Sequence, residues 1–300
     1  MEVLSQDMLA CQPVLRAHCY RMLGHPQDAD DAVQDTFVRA VKGIGKLEQQ
    51  GSLRAWMVRI ATRVCLDVLE DRKRRRMPTE APPGTLEGPF EPTPPEEWIA
   101  PYPDAWLPDE VTALRAKVDL AFVTLLQQLP ARQRAALLLA DVFELKAAEV
   151  AEVLEWTTAG VNSALQRARA KLERPRPPRA AADPEVVVRY RDAFIRYDVD
   201  ALVQLMTEDV TFDMPPIPLW LQGREHVAAF LRGPGAECEG SVLVPLSANG
   251  CPGFAQYRHG GRTPWALVVL EPEGDRIAAV HSFLDTAALF PLFGCPLQKL

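Results

Sequence analysis

No stretch of the 300-residue chain approaches the roughly 18–20 consecutive apolar residues of a membrane span, and the opening Met1-Glu2 lacks the basic-then-apolar pattern of a secretory signal. A cytoplasmic protein is expected. The six cysteines (Cys11, Cys19, Cys65, Cys238, Cys251 and Cys295) form no CxxC pair and no zinc-like grouping with histidine. They read as free thiols, and neither a metal nor a cofactor is expected. A formal net charge of -7 argues against a nonspecific nucleic-acid coat. That average hides segregation: no basic residue stands between Glu80 and Glu110, whereas Arg54 to Arg76 holds eight basic and three acidic residues. With 48% hydrophobic residues, the length suits two or three domains.

The clearest mechanism lies between Leu129 and Leu172. Pro130 opens a helix in which Ala135, Leu138, Leu139 and Val142 recur at helical spacing, and a second run follows at Ala147, Val150, Ala151 and Leu154. Glu155-Trp156-Thr157 breaks the pattern. Thr157 or Thr158 can then cap a third helix whose apolar stripe is Val161, Ala164, Leu165, Ala168 and Leu172. Its other face carries Asn162, Ser163, Gln166, Arg167, Arg169 and Lys171. Amides and guanidinium groups there can read base edges in a major groove, while other cations hold phosphates. A three-helix bundle with a solvated basic face fits the same residues.

The first 76 residues also read as helical. Leu15, Cys19, Met22 and Leu23 form one face, ended by Gly24, and Asp28 can cap a helix whose stripe runs Ala29, Ala32, Val33, Thr36, Phe37, Ala40, Val41. Asp30, Asp31, Gln34 and Asp35 project from its first turns, either answering the helix dipole or forming a docking surface. Gly43 to Ser52 reads as a loop. A long helix then buries Leu53, Trp56, Met57, Ile60, Ala61, Val64 and Val68, leaves Arg54, Arg59 and Arg63 outside, and ends in the cations Arg72 to Arg76.

Met77 to Asp109 is a proline-rich linker, with Pro82-Pro83 and Pro94-Pro95 excluding helix and central strand over most of it. Its aromatic string from Trp98 to Leu107 is expected to lie against a surface. After a second break at Arg174 to Arg179, the pattern changes. Helices are expected at 184–197, 199–206 and 224–231, with strands at 210–213, 241–247, 253–259, 265–270 and 277–284. Together these make a small α+β domain with a curved antiparallel sheet.

The run Asp28-Ala29-Asp30-Asp31-Ala32-Val33-Gln34-Asp35-Thr36-Phe37 resembles the region-2 helix of extracytoplasmic-function (ECF) sigma-70 family factors. Ser52 to Ala61 resembles the helix that follows it. Leu129 to Arg134 and Ala159 to Arg169 resemble region 4. Beyond residue 183, Asp200-Ala201-Leu202, Leu205 to Val210, Met214-Pro215-Pro216, Trp220, Gly223-Arg224 and Phe283-Leu284-Asp285 resemble a SnoaL-like cone. The resemblance implies a multidomain chain: all-α region 2 at 5–76, a linker at 77–110, an all-α helix-turn-helix region 4 at 111–174, and an α+β SnoaL-like domain at 183–300.

The resemblance implies an RNA polymerase sigma factor. Asp30, Asp31, Gln34, Asp35 and Arg39 would bind core polymerase, and the loop after Gly43 would capture a flipped base of the minus 10 element. Trp56, Arg59 and Arg63 would serve that element, although Trp56 also belongs to the apolar stripe. Thr158, Asn162, Ser163, Gln166, Arg167 and Arg169 would read the minus 35 element. Glu155 departs from the common turn glycine and Asn162 from a frequent lysine, so base preference does not carry over. Linker acids such as Glu96, Glu97 and Asp104 would mimic nucleic acid in the polymerase cleft.

A pocket in the cone has Asp213, Trp220, His259 and His281 as candidate residues. No paired acid-base spacing stands out, so a regulatory module packed on regions 2 and 4 is expected rather than an enzyme. Core polymerase and promoter DNA are the expected partners, with a small ligand or an anti-sigma protein as further partners the domain would suit. The alternatives are a ligand-sensing helix-turn-helix regulator, which would not need the acidic helix, and a bifunctional isomerase or cyclase.

Overall fold

A computed structural model describes residues 6–43, 52–70, 72–87, 90–107, 118–172 and 183–298. The expected base-capture loop from Gly43 to Ser52 (residues 44–51) and the break from Arg174 to Arg179 lie outside the described residues. The chain divides into two units: Met1–Arg75 with Trp106–Arg176, and Arg76–Ala105 with Pro177–Leu300.

In the first unit, helices α1 (Gln6–Ala10), α2 (Gln12–Leu23), α3 (Pro26–Gly43) and α4 (Leu53–Glu70) pack around Leu15, Cys19, Tyr20, Met22, Val33, Met57 and Val64, all essentially buried. Gly24 ends α2 because the turn needs φ +74°, and its amide donates to the Tyr20 carbonyl at 2.7 Å. Helices α5 (Leu120–Gln127), α6 (Ala131–Asp141), α7 (Ala147–Leu154) and α8 (Thr158–Leu172) complete the unit. Glu155 holds the left-handed turn after α7 at φ 54°, the place where glycine would be unstrained. Thr157 caps α8, its Oγ accepting from the Gly160 amide at 3.1 Å.

A buried polar staple joins α5 and α6 to the C-terminal end of α2. The Arg134 guanidinium donates to the Met22 carbonyl, to Gln127 Oε1 at 2.5 Å, and to the carbonyls of Gln127 and Leu129 at 3.2 and 3.1 Å. Gln127 Nε2 in turn donates to the Arg21 carbonyl at 3.0 Å. These bonds satisfy carbonyls that a helix end leaves without an intrahelical donor. Burial lowers the Arg134 pKa to about 10, still cationic at neutral pH.

The second unit is a bent six-stranded sheet with helices α9 (Pro184–Ile195), α10 (Val199–Gln204) and α11 (Arg224–Arg232) on its concave side, plus α12 (Thr286–Leu292) after the last strand. Strands β1 (Met206–Met214), β2 (Ile217–Gln222), β3 (Val242–Ala248), β4 (Cys251–Tyr257), β5 (Thr263–Glu273) and β6 (Arg276–Phe283) stand in the order β2-β1-β6-β5-β4-β3. The sheet is mixed rather than wholly antiparallel. β1 and β6 run parallel at its centre because the whole of β2 to β5 intervenes between them in the chain.

Residues 76–87 and 90–105 run over this unit as a strap. The Gly84 and Thr93 amides donate to the Trp220 and Pro216 carbonyls, each at 2.9 Å, and Trp220 Nε1 donates to the Ala81 carbonyl at 2.8 Å. Tyr102 and Asn249 exchange two bonds: the Tyr102 amide to Asn249 Oδ1 at 2.8 Å, and the Asn249 amide to the Tyr102 carbonyl at 3.0 Å. Prolines suit a strap that borrows bonds at intervals, since they lack the donor a continuous ladder requires. The first part of the aromatic string, Trp98, Ile99 and Tyr102, is buried within this second unit, whereas Trp106 belongs to the first.

Candidate polymerase and promoter interface

Helix α3 buries Ala29, Ala32, Val33, Thr36, Phe37 and Ala40, and this fixes its outward face. Asp31, Gln34 and Asp35 are exposed on that face, and so is Arg39, which pairs with Asp67 at 2.8 Å. Asp30 is half-buried and held by Arg16 at 2.6 Å. Arg16 also lies over the Trp106 ring, 4.5 Å from its centroid. Partial burial and the neighbouring charges of Asp28, Asp30 and Asp35 raise the Asp31 pKa against the opposing Arg72 charge.

The cations after α4 divide. Helix α4 stops at Glu70, and Arg72 and Arg75 turn back onto Asp28 in the first turn of α3. Arg75 also donates to the Leu23 carbonyl at 2.7 Å. Burial opposes the ionised form of Asp28, but the Arg75 charge and hydrogen bond outweigh it and lower the pKa. At least two of the five cations therefore close the fold.

Trp56 is core, 4% exposed. With Arg39, Gly43, Arg59, Ile60 and Arg63 it lines a cavity of about 410 Å³ whose opposite wall is Glu152 and Val153 of α7. The two arginines are engaged by the same helix and its cap. Arg59 lies 3.6 Å from Glu149, while Arg63 donates to the Val153 carbonyl at 3.3 Å and lies 3.5 Å from Glu155.

On α8, burial of Val161, Ala164, Leu165 and Ala168 leaves Thr158, Asn162, Ser163, Gln166, Arg167 and Arg169 all exposed. Asn162 and Gln166 lie one turn apart, and Arg167 donates to Ser163 Oγ at 2.6 Å. Arg169 is tied back to Asp141 of α6 by two bonds at 2.6 and 3.3 Å. It braces α8 against α6.

In the second unit, the concave side of the sheet and its helices enclose a cavity of about 240 Å³. Its walls include Phe194, Met206, Phe212 and Phe230, with Tyr190, Gln256, Arg258 and Ser282 as polar lining and Phe90 of the strap at one side. None of Asp213, Trp220, His259 and His281 lines it. Strand alternation is the reason: Phe212 and Ser282 face the cavity, so their neighbours Asp213 and His281 point through the other face. There His281 Nδ1 bonds Asp213 Oδ2 at 2.7 Å, with Glu271 3.5 Å from Nε2. Burial disfavours the imidazolium, yet the Asp213 charge and hydrogen bond and the Glu271 interactions raise its pKa to about 10. Trp220 holds the strap at Ala81, and His259 sits exposed in a left-handed turn at φ 55°.

The linker acids are likewise engaged by the second unit. Glu97 pairs with Arg76 at 3.3 Å, and Asp104 accepts from the Gly250 amide at 2.9 Å.

An acidic helix, an arginine-bearing helix and a helix-turn-helix on one chain define the sigma-70 class. The chain matches Sigma-70 region 2 over residues 8–75, Sigma-70 region 4 over 119–172 and a SnoaL-like domain over 187–286. It belongs to the ECF RNA polymerase sigma factors. Over 302 residues it is 41% identical to SigG of Mycobacterium tuberculosis, covering 94% of this chain and 81% of the relative. SigJ of the same organism is 31% identical over 246 residues, 78% and 73% of the respective chains. The crystal structure of SigJ shares the fold with a TM-score of 0.63 at 24% identity, over 97% of this chain and 99% of that one.

Three positions escaped sequence reasoning. Arg134 falls one turn before Leu138 on an apolar face, a signal that it is buried. Arg258 and Phe90 carried none, because a strand end and a linker phenylalanine acquire their surroundings only from the tertiary fold.

Proposed function

We propose that this sigma factor binds core polymerase through the exposed acidic face of α3 and promoter DNA through α4 and α8, and that it works in the cytoplasm without catalytic chemistry of its own. The observation that carries this is the separation of functions within the first unit. Carboxylates at Asp31 and Asp35 stand exposed on α3, whereas the exposed amide-and-arginine face of α8 suits a groove. Arg59 and Arg63 serve the minus 10 strand once Glu149 and Glu155 release them. The second unit regulates: it carries the segment that joins region 2 to region 4, and so governs the tether between them, a restraint that elsewhere a separate anti-sigma protein could impose.

Titration of fluorescently labelled full-length chain with core RNA polymerase tests the first part. Submicromolar binding, weakened at least tenfold by Asp31→Ala/Asp35→Ala, is the expected result. Absence of binding by the full chain and by a truncation after Arg174 would leave a ligand-sensing DNA regulator instead. A truncation with polymerase binding and promoter-dependent transcription identical to the full chain would remove the regulatory role alone.

A further inference from the structure

One carboxylate of the docking helix is already spoken for inside the protein. Asp30 lies at the flank of the exposed face of α3, half-buried. Two nitrogens of the Arg16 guanidinium, on α2, converge on its Oδ1, Nε at 2.7 Å and Nη2 at 2.6 Å, and Gln34 Nε2 stands 3.5 Å from Oδ2. A charge-assisted pair of this geometry is short and directional, so the Asp30 charge is offset by its own chain.

The guanidinium that does this is itself covered. Arg16 Cζ lies 4.5 Å from the centroid of the Trp106 ring. Trp106 closes the 3₁₀ turn Asp104–Trp106 near the end of the linker, and Leu107, the next residue, is 5% exposed. An indole face attracts a cation through its quadrupole and keeps water from one side of it. A guanidinium with less water around it holds its carboxylate more firmly, because the attraction is screened less. Trp106, Arg16, Asp30 and Gln34 therefore form one series of contacts that begins on the linker and ends on the docking face.

We infer that Trp106 is a positioning residue for polymerase docking: seated on Arg16, it keeps that arginine on Asp30 and withholds the carboxylate from a cationic partner, and it yields the carboxylate when the linker is drawn off α2. The inference rests on the reading of α3 as the polymerase-docking helix. The same contacts would suit a plain brace between α2 and α3. The two roles differ in sign, since losing a brace loosens docking whereas losing a restraint tightens it.

The test is a mutant cycle on the full chain, with affinity for core RNA polymerase measured at low salt. Trp106→Ala is expected to bind about two- to fivefold more tightly, the size of one exposed cation–π contact. Trp106→Phe keeps a ring face and should stay within about twofold of wild type. Arg16→Met keeps the aliphatic stem and frees Asp30, so it should show the same gain, and adding Trp106→Ala to it should change nothing further. Adding Asp30→Asn to Trp106→Ala should cancel the gain. In the free chain labelled with fluorotryptophan, the Trp106 fluorine resonance, identified by its loss in Trp106→Phe, should shift in Arg16→Met. Unchanged or weaker docking by Trp106→Ala, an equal effect of that change with and without Arg16, or an unmoved resonance would each overturn the inference. If the Trp106 and Arg16 variants dock like wild type while Asp31→Ala/Asp35→Ala docks more weakly, the docking reading stands without this restraint. If wild type and every variant fail to bind polymerase, the docking reading falls and the restraint falls with it.

Discussion

Arg59 of α4 lies 3.6 Å from Glu149 of α7, which places a residue expected to serve the minus 10 element against an acid of region 4. Glu149 has a second role: its carboxylate accepts from the Lys146 amide at 2.9 Å and caps α7. Glu149→Gln keeps an acceptor for the cap and removes the charge. A partly exposed pair is worth up to about 1 kcal/mol, so the variant should bind a minus 10 single strand roughly two- to fivefold more tightly, with the gain shrinking in salt. Fluorescence anisotropy of free protein at two salt concentrations checks this; an unchanged affinity at low salt would show that the pair masks nothing.

Arg134 predicts a much larger effect on stability. Arg134→Met fills similar volume but strands the carbonyls of Met22, Gln127 and Leu129 and the Gln127 side chain. A loss of about 3 kcal/mol or more is expected, localised to the first unit. Hydrogen exchange of the full chain should accelerate at the C-terminal turn of α2 and throughout α6. Acceleration confined to the strap would contradict it.

Two buried histidines give the units opposite pH responses. His18 bonds Thr62 at 2.9 Å, and burial with the nearby Arg21 charge lowers its pKa to about 3, so the unfolded chain takes up a proton that the folded one refuses. That contribution is intact above the ordinary histidine value near 6.5 and is lost as pH falls from there toward 3. His281, raised to about 10, contributes fully below about 6.5 and loses its contribution as pH climbs toward 10. Urea titrations read by peptide-resolved exchange pulses should show the second unit weakening between pH 7 and 10, with His281→Gln flattening that slope. A slope unaltered by the substitution would assign it to other groups.

Asn249 occupies a left-handed position at φ 55° while holding Tyr102 through its side chain. Asn249→Gly keeps the backbone conformation and deletes the side chain, and with it the acceptor of the Tyr102 amide. The Tyr102 amide should then exchange about tenfold faster, the equivalent of roughly 1.4 kcal/mol, with little change in the central strands. Equal exchange in both proteins would mean that the strap is held without this bond.

On α8, Asn162→Ala and Gln166→Ala should redistribute preference among minus 35 sequences. Arg167→Ala should weaken all duplexes alike and reduce the salt slope by about one. Competition binding against a randomised minus 35 library separates these outcomes; uniform losses for all three would exclude base reading by the amides.

The sequence was most legible where a single period governs. The stripes of α3 and α8 appeared directly, and with them the exposure of Asp31, Asp35, Asn162 and Gln166, whereas on α4 Leu53, Ile60 and Val68 of the expected stripe and the outer Arg59 are all half-buried. Helix α5 was missed because Leu120–Gln127 is apolar on nearly every side, and β2 because Pro215, Pro216 and Pro218 mask a short edge strand. The pocket candidates were chosen by chemistry alone. Asp213 and His281 do meet, but strand alternation fixes which face they meet on, and that depends on which neighbours the cone encloses. The strap's destination was beyond reach of any local pattern, since its partners lie more than a hundred residues away.

That separation also sets an order of events during synthesis. Tyr102 and the Asn249 that holds it are 147 residues apart in the chain. At about 5–20 residues per second, the ribosome spends roughly 7–30 s between making the two. Through roughly the last half of that interval, once Leu172 has been made, the nascent protein contains the acidic helix and the helix-turn-helix, while the last of the residues that clasp the segment between them has yet to be made. Each newly made molecule thus passes through a youth in which its promoter-reading parts are complete and their leash is slack.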